Sequence, residues 1–331
     1  MNAKRRFGLV GKVAAGLGVA ALLAACAPGE APEPGATAAP SGELTPLRII
    51  VAPIQYEPAY LALQEGYFEE AGLDVEIVTG ADGAANAARV LGGDAELTIS
   101  SWTAMVSSTA SGVEMKVVMG NGLIAADQVT SGILVREDSD IKTVADLAGR
   151  TVAIQSPGTG TDIPLLVAAE DEGIDPDSIS LANIPYAAMQ TALEEGQVDA
   201  AFPSSQFFFQ MVDAGYRVIS TPSSQYMAGQ PATLWAAQSQ WLEANAETAA
   251  AFVTAMTRAI EFYTANPEAA RAVNAEVSGI SIDEVPTRMA VMQAEIEVGP
   301  AGDMLGYLER FGVVPNPLPL DQILWVDAPR R

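Results

Sequence analysis

Short apolar runs alternate with segments of helical periodicity along most of this chain, and this alternation restricts the folds that are open to it. Residues 47–52 are rich in Ile and Val and end at Pro53, which predicts a buried strand that leads into a loop. A helix after Pro58 and a strand at 74–78 complete a β-α-β unit. Strands that alternate with helices predict a largely parallel sheet with helices on both faces.

The same pattern continues and then begins again near Ile133, which predicts two α/β lobes. In the first lobe we expect helices at 83–91 and 103–110 and strands at 95–99 and 115–119. The elements expected in the second lobe are strands at 133–135, 151–154, 179–184, 200–202 and 217–220 and helices at 164–172 and 186–195.

Beyond Gln230 the periodicity is helical, at 241–265, 267–277, 282–297 and 303–311. A separate helical bundle and a return over the first lobe both fit this pattern, and we favour the return. The predicted domains of the folded body are a first lobe at 47–132, a second lobe at 133–228, and a return to the first lobe with C-terminal helices at 229–331.

Residues 1–25 have the composition of a secretory signal peptide. The basic residues Lys4, Arg5, Arg6 and Lys12 precede a small and apolar stretch at 13–25. This stretch is shorter than a membrane span, which requires about 20 residues. Arg5 and Arg6 also fit a twin-arginine signal, although Gly8 stands where that signal has an apolar residue, so the export route stays open.

The signal ends in Leu23-Ala24-Ala25-Cys26, which resembles the bacterial lipobox. The resemblance implies that Cys26, the only Cys of the chain, is acylated and becomes the first residue of the mature protein. The alternative is a signal peptide that merely contains a Cys. Residues 26–46 then form the lipidated Cys and a tether rich in Pro, Ala and Gly, which spans about 25 Å if flexible. We therefore expect an extracytoplasmic protein that is lipid-anchored to the cell membrane.

The chain is strongly acidic, with 17 Lys and Arg against 41 Asp and Glu. Loss of the signal peptide leaves 13 basic residues and a net charge of −28. Nucleic acid is thereby excluded as a partner, because its binding depends on Lys and Arg that neutralise phosphates. The chain contains no His, which removes the commonest proton shuttle and the commonest metal ligand. We expect no catalytic residue, no metal and no cofactor.

Three phrases resemble one protein family. They are EGYFEEAGLDV at 65–75, DLAGRTVA at 146–153 and LEEGQVDAA at 193–201. Together with the lipobox they resemble the solute-binding lipoproteins of ABC importers of the nitrate, sulfonate and taurine type, the SsuA/THI5-like or NMT1-like family. None of the three phrases is expected to touch a ligand, because their glycines end helices and their apolar residues fill the core.

The resemblance implies a periplasmic-binding-protein type II fold, in which two α/β lobes are joined by crossing segments around a ligand cleft. It also implies an ABC permease and a cytoplasmic ATPase as partners of a monomeric binding protein. Ligand that touches both lobes stabilises their closure, which is a hinge motion. No covalent chemistry is required.

In an open α/β sheet the ligand lies beyond the carboxyl ends of the strands, and this rule selects the candidate residues. In the first lobe they are Gln55, Tyr56, Ser100, Ser101, Trp102 and Asn121. We expect Trp102 and Tyr56 to offer ring faces for stacking, since each stands beside polar loop residues. Of the three rings at 207–209 one can reach the cleft, although burial under the sheet is favoured.

The second lobe contributes a loop that is suited to hold an oxyanion. Gly158 and Gly160 allow close approach of backbone amides, and the helix that follows adds the partial positive charge of its N-terminus. The full set of candidates in this lobe is Ser156, Gly158, Thr159, Gly160, Thr161, Tyr186, Ser204 and Ser205. The alternative for the loop is a plain turn, with Thr161 or Asp162 as the helix N-cap.

The solute is predicted to be a small organic anion of the sulfonate, taurine, nitrate or carboxylate type. An aromatic heterocycle, such as a thiamine-precursor pyrimidine or riboflavin, is the alternative. Arg89 and Arg136 are the cations nearest to the candidate loops in sequence. An enzyme that synthesises a pyrimidine in the THI5-like manner is a third reading, but such an enzyme uses active-site His, which this chain lacks.

The lipid anchor can be tested by metabolic labelling with palmitate. The mature protein should carry the label, and Cys26→Ala should abolish it, because the acylated thiol is removed. Label that persists in the variant would contradict the assignment of a lipoprotein.

Overall fold

The computed structural model describes residues 43–51, 57–80, 83–155, 162–285 and 287–331. Within this part of the chain the strands form two sheets, one in each lobe. Sheet 1 has the order β11-β4-β10-β3-β1-β2 and sheet 2 the order β7-β6-β8-β5-β9. The strands of sheet 1 are β1 Thr45–Val51, β2 Leu73–Thr79, β3 Leu97–Ser101, β4 Met115–Leu123, β10 Pro231–Gln238 and β11 Val291–Met292. Those of sheet 2 are β5 Ile133–Val135, β6 Thr151–Ile154, β7 Ser180–Asn183, β8 Ala200–Ala201 and β9 Arg217–Ser220.

The helices of the described residues cover both sheets. Those of the first lobe are α1 Pro58–Gln64, α2 Tyr67–Glu70, α3 Gly83–Leu91, α4 Trp102–Ala110, α9 Ser239–Ala244, α10 Ala246–Ala265, α11 Pro267–Ser278, α12 Val298–Arg310 and α13 Leu320–Ile323. Those of the second lobe and the second crossing are α5 Asp162–Asp171, α6 Tyr186–Glu194, α7 Ser205–Asp213 and α8 Pro222–Tyr226. Short 3-10 helices lie at Val144–Leu147, Pro176–Ser178 and Ile282–Glu284.

The carboxyl ends of β1, β2, β3 and β4 lie at one edge of sheet 1. β1 pairs in parallel with β2 and β3, and β10 runs antiparallel between β3 and β4, so β3 and β4 point the same way. In sheet 2, β6 is parallel to β7 and β8, while β5 is antiparallel to β8 and β9. The carboxyl ends of β6, β7, β8 and β9 therefore share an edge with the start of β5.

Two crossing segments, 124–132 and 221–230, join these edges. The first runs from the end of β4 to the start of β5, and the second from the end of β9 to the start of β10. They run side by side, since the Ile124 N–H donates to the Gln230 carbonyl at 3.0 Å and the Gly229 N–H donates to the Ile124 carbonyl at 2.8 Å. The carboxyl edges of both sheets consequently face the same region between the lobes.

Helix α10 forms the centre of the first-lobe core. Its buried residues recur at helical spacing, and Phe252 among them is fully buried. The Phe252 ring lies 5.1 Å from that of Trp235 in β10 and 5.9 Å from that of Phe68 in α2. Helix α10 is therefore packed on sheet 1 against β10, the strand that follows the second crossing.

Helix α5 of the second lobe also packs against the first lobe. Ile163 and Val167 belong to the apolar core of the first lobe, although α5 follows β6 of sheet 2. Arg310 of α12 forms an ion pair with Glu170 of α5 beside this contact. The two lobes are thus in direct apolar contact on the side of α5 and α12.

The two-sheet α/β architecture confirms the predicted fold class, but one predicted helix is wrong and one strand was missed. The helix expected at 282–297 is instead a 3-10 turn followed by the short strand β11, and Pro286, which breaks helices, lies within the expected span. The strand β10 was not predicted, because it is Ala-rich and buried on both faces in mid-sheet, so it has no polar alternation. None of the helices in the described residues is both long and apolar enough to cross a membrane.

Phe252→Ala should lower the free energy of unfolding by about 3 to 5 kcal/mol, because it removes a fully buried ring and leaves a cavity between α10, α2 and β10. Val326→Ala, at a side chain that is 78% exposed, is the control and should change stability by less than about 0.5 kcal/mol. Urea unfolding followed by circular dichroism measures both. Equal losses in the two variants would contradict the packing described for α10.

Candidate functional site

A cavity of about 690 Å³ lies between the lobes at the carboxyl edge of sheet 1. Its walls are formed by 127–130 of the first crossing, Phe209 of α7, the residues Tyr263, Thr264 and Pro267 where α10 meets α11, and 287–292. Met292 pairs with Gly122 and Val291 with Leu123, so this last segment lies beside the end of β4. Both lobes therefore contribute to one concave surface, which is the usual form of a small-molecule site.

The cavity combines apolar, polar and charged groups. Arg288 and Asp127 are its charged side chains, and Gln128 and Thr130 add exposed amide and hydroxyl groups. The guanidinium carbon of Arg288 lies 5.0 Å from the centre of the Phe209 ring, which comes from the opposite lobe. A cation over an aromatic face at this distance is attracted by the ring. The contact links the two walls across the cavity.

Hydrogen bonds hold the two segments that carry these groups. The Tyr263 hydroxyl donates to the Ala290 carbonyl at 2.9 Å, which fastens the Arg288 segment to α10. On the other wall, the Ser205 N–H donates to the Thr130 carbonyl at 2.7 Å. Ser131 and Ser204 form an isolated antiparallel β-bridge beside this bond. The start of α7, and with it Phe209 one turn further on, is thereby tied to the first crossing.

Ser205 has a φ of 55°, the left-handed region that non-glycine residues rarely adopt, and no other non-glycine residue in the described segments does so. Such a conformation costs free energy and persists only where its surroundings hold it, and it is often found at binding sites. Here the hydrogen bond to Thr130 holds it. Ser204 and Ser205 were both predicted from sequence, and they adjoin the cavity wall at Thr130 without lining it.

A buried polar network lies beneath the cavity in the first lobe. The Asn121 amide nitrogen donates to Glu57 Oε2 at 3.0 Å and to Thr233 Oγ1 at 3.3 Å. The Trp235 indole N–H donates to Asn121 Oδ1 at 3.3 Å. Asn121 precedes Gly122, which pairs with Met292 in the cavity wall, so the network supports this edge of the sheet from below.

Glu57 is the acidic member of this network and is only 4% exposed. Its Oε1 accepts the Ala59 N–H at 3.2 Å, so it caps α1. Burial raises the pKa of Glu57 from 4.5 to about 7, and the hydrogen bonds from Ala59 and Asn121 oppose that rise. The carboxyl group is therefore poised to change its charge near neutral pH.

The structure describes only some of the predicted site residues. Those that lie outside the described residues are Cys26, Gln55, Tyr56, Ser156, Gly158, Thr159, Gly160 and Thr161. Ser101 Oγ accepts the Ala104 N–H at 3.2 Å and so caps α4, while Ser100 is half-buried beside it. The Tyr186 N–H donates to Gln155 Oε1 at 2.9 Å, which places Tyr186 at the carboxyl edge of sheet 2.

Two of these assignments need correction. Trp102 is 2% exposed, lies in the first-lobe core and donates its indole N–H to the Ala301 carbonyl at 3.2 Å. Its ring packs against protein and does not offer a face for stacking. Asn121, expected in a loop near the crossing, lies inside β4 and is fully buried with its amide engaged in the network. Both side chains are buried within the first lobe.

None of the described residues that were predicted for the site lines the cavity, and the missed residues include Arg288, Asp127, Gln128 and Thr130. Arg288 stood inside a segment that was expected to be helical, and the mid-helix Pro286 was the signal that should have excluded that helix. Gln128 and Thr130 belong to the first crossing, which strand-end reasoning does not reach. Among the three rings at 207–209, Phe208 is buried as favoured from the sequence, whereas Phe209 lines the cavity, which was the less favoured alternative.

The described residues contain no group of three or more His, Cys, Asp and Glu side chains that could hold a metal ion. The geometry instead defines a class of protein. It is a two-lobed α/β protein whose carboxyl sheet edges face a shared cavity, with two crossings between the lobes.

A family model described as NMT1/THI5 like matches residues 54–270 of this chain. The match covers more than half of the chain, and the protein therefore belongs to the NMT1/THI5-like family. The family resemblance read from the three sequence phrases is confirmed.

Solved structures share the fold. The periplasmic aliphatic sulphonate binding protein SsuA from Escherichia coli has a TM-score of 0.70 at 20% identity, over 86% of this chain and 98% of its own. The periplasmic nitrate-binding protein NrtA from Synechocystis PCC 6803 has a TM-score of 0.64 at 15% identity, over 87% of this chain and 86% of its own. The desulfurization enzyme DSZB has a TM-score of 0.59 at 16% identity, over 86% and 96%. The fold thus occurs both in binding proteins and in an enzyme.

The raised pKa of Glu57 predicts a specific dependence of stability on pH. Because the folded state binds this proton more tightly than the unfolded chain, the stabilisation is present in full below about pH 4.5 and is lost as the pH rises through about 7. The free energy of unfolding of the wild type, relative to that of Glu57→Gln, should fall by about 2 kcal/mol between about pH 5.5 and about pH 8.5.

Urea unfolding at the two pH values measures this difference. Glu261→Gln, at an exposed position on α10, is the control and should follow the pH dependence of the wild type. A difference between wild type and Glu57→Gln that does not change with pH would contradict the raised pKa.

Proposed function

We propose that this protein is the solute-binding lipoprotein of an ABC importer, which captures a small organic anion between its lobes and delivers it unaltered to the permease. The solute is of the sulfonate, taurine, nitrate or carboxylate type. The observation that carries the proposal is the cavity of about 690 Å³ with Arg288 from one lobe and Phe209 from the other on its walls.

The arrangement suits capture and release. A ligand in this cavity touches both lobes, and it therefore stabilises the closed arrangement over an open one. The paired crossings at Ile124, Gly229 and Gln230 are the connection about which the lobes would rotate. The contact of α5 with α12 would separate and re-form in each cycle.

Binding is favoured over catalysis on chemical grounds. The sequence has no His, so a Ser nucleophile lacks its usual base and pyrimidine synthesis lacks its donor. Two of the fold relatives are named for the binding of a sulphonate and of nitrate, which agrees with this role. Because one of the fold relatives is an enzyme, chemical turnover of the solute must also be tested.

An aromatic heterocycle is the second candidate. Phe209 presents a half-buried ring in the cavity, and the uncharged Gln128 and Thr130 could bind the edge of a planar ligand. A pyrimidine or riboflavin would then stack on Phe209, and Arg288 would have only a secondary role.

The N-terminal sequence supports a proposal for the location of the protein. We propose that the signal at 1–25 directs export and that the lipidated Cys26 holds a monomer at the outer face of the cell membrane, next to the permease and its ATPase. The tether at 27–46 would keep the lobes within reach of the permease.

Thermal unfolding in the presence of a panel of solutes tests the function. The panel contains butane-1-sulfonate, taurine, nitrate, benzoate, a thiamine-precursor pyrimidine and riboflavin. A bound solute at a hundred times its dissociation constant should stabilise the protein by about 2.7 kcal/mol and raise the melting temperature. Lysozyme with the same solutes is the control for non-specific effects. A panel without any shift, or recovery of a bound solute in chemically altered form, would contradict the proposal.

A further inference from the structure

Arg288 differs from the arginines of the described residues that form ion pairs or donate to backbone carbonyls. The chain has 41 acidic residues, and Arg89, Arg136, Arg150, Arg258, Arg271, Arg310 and Arg331 each form an ion pair with one of them. Arg288 forms no ion pair with any carboxylate of the described residues, and it faces the cavity. Within the part of the chain that the structure describes, its charge is therefore not neutralised by a carboxylate.

The position of Arg288 over Phe209 leaves its hydrogen-bonding groups available. The guanidinium carbon is 5.0 Å from the ring centre, so the ring supports the group through its face. A guanidinium is planar and carries five N–H donors around its edge, and two of these match the two oxygens of a carboxylate or two of the three oxygens of a sulfonate. The Phe209 ring beneath the guanidinium and the N–H donors at the guanidinium edge together form an oriented anion-binding group.

We infer that Arg288 is the specificity-determining residue of this site, binding the anionic group of the solute while Phe209 of the opposite lobe holds its guanidinium in place. This inference deepens the proposed function and rests on it. It assigns the preference for anions to a side chain outside the glycine-rich loop at 156–161.

Asp127 supplies the opposing charge in the same cavity. Its carboxylate repels an anion, so the anionic group of the solute should lie at the Arg288 wall. Neutralising each of the two residues in turn changes the charge of the cavity in opposite directions. The pair thus provides an internal comparison, in which the two changes of charge have opposite signs.

The experiment measures the affinity for butane-1-sulfonate by isothermal titration calorimetry in full-length mature protein. Arg288→Gln should weaken binding about 10- to 100-fold, because a charge-assisted hydrogen bond is lost. Arg288→Lys should weaken it less, since the charge remains but the planar donor edge does not. Phe209→Leu should weaken it about two- to fivefold through loss of the ring beneath the cation. Asp127→Asn should tighten it about two- to fivefold.

Arg89→Gln is the matched control, with the same change of residue and charge. Arg89 lies in the last turn of α3, which leads into the start of β3, so it is at the edge of sheet 1 away from the cavity. This variant should bind butane-1-sulfonate as the wild type does. Melting temperatures without ligand show whether each variant is folded.

The outcomes separate the two proposals. Wild-type affinity in a folded Arg288→Gln variant would overturn the role of Arg288 and leave the solute-binding function standing. Binding of riboflavin without binding of any anion of the panel would do the same. A wild type that binds none of the six solutes would remove the proposed function, and this inference with it. An equal loss in Arg89→Gln and Arg288→Gln would show an effect of net charge and would also overturn the assignment.

Discussion

The two crossing segments impose the constraint on which the rest of this structure depends. Each of them begins and ends at the carboxyl edge of a sheet, so neither lobe can turn that edge away from the other without breaking the connection. The hydrogen bonds of Ile124 with Gly229 and Gln230 hold the crossings together as one double connection. The position of the cavity, the tie between Thr130 and Ser205, and the contact of Phe209 with Arg288 all follow from this arrangement.

Local charge and burial, and not the net charge, decide what the cavity can bind. The protein is strongly acidic, yet salt screens exposed charges beyond about 8 Å, so an anion inside the cavity responds mainly to the groups on its walls. Beneath these walls, removal of the Glu57 carboxylate from water raises its pKa. The hydrogen bonds from Asn121 and Ala59 only partly offset this rise. In the first lobe, the buried polar network of Glu57 and Asn121 thus lies beneath the wall of the open cavity.

Sequence reasoning succeeded where local periodicity is the deciding factor. The α/β alternation, the two lobes and the family phrases could all be read from residues close together in the chain. It failed for β10, whose burial on both faces removes the alternation that identifies a strand, and for 282–297, where apolar spacing imitated a helix across Pro286. For Trp102 the neighbouring serines suggested a ligand contact, whereas the helix α12 covers its ring.

By itself, the sequence determined the class of fold and the inventory of side chains, because periodicity and composition are properties of neighbouring residues and of counts. The chain has no His and one Cys, whatever fold it adopts. Only the tertiary structure decided which side chains meet. Arg288 and Phe209 belong to different lobes and to segments far apart in the chain, and their contact depends on how the crossings orient two sheets, which no local spacing encodes.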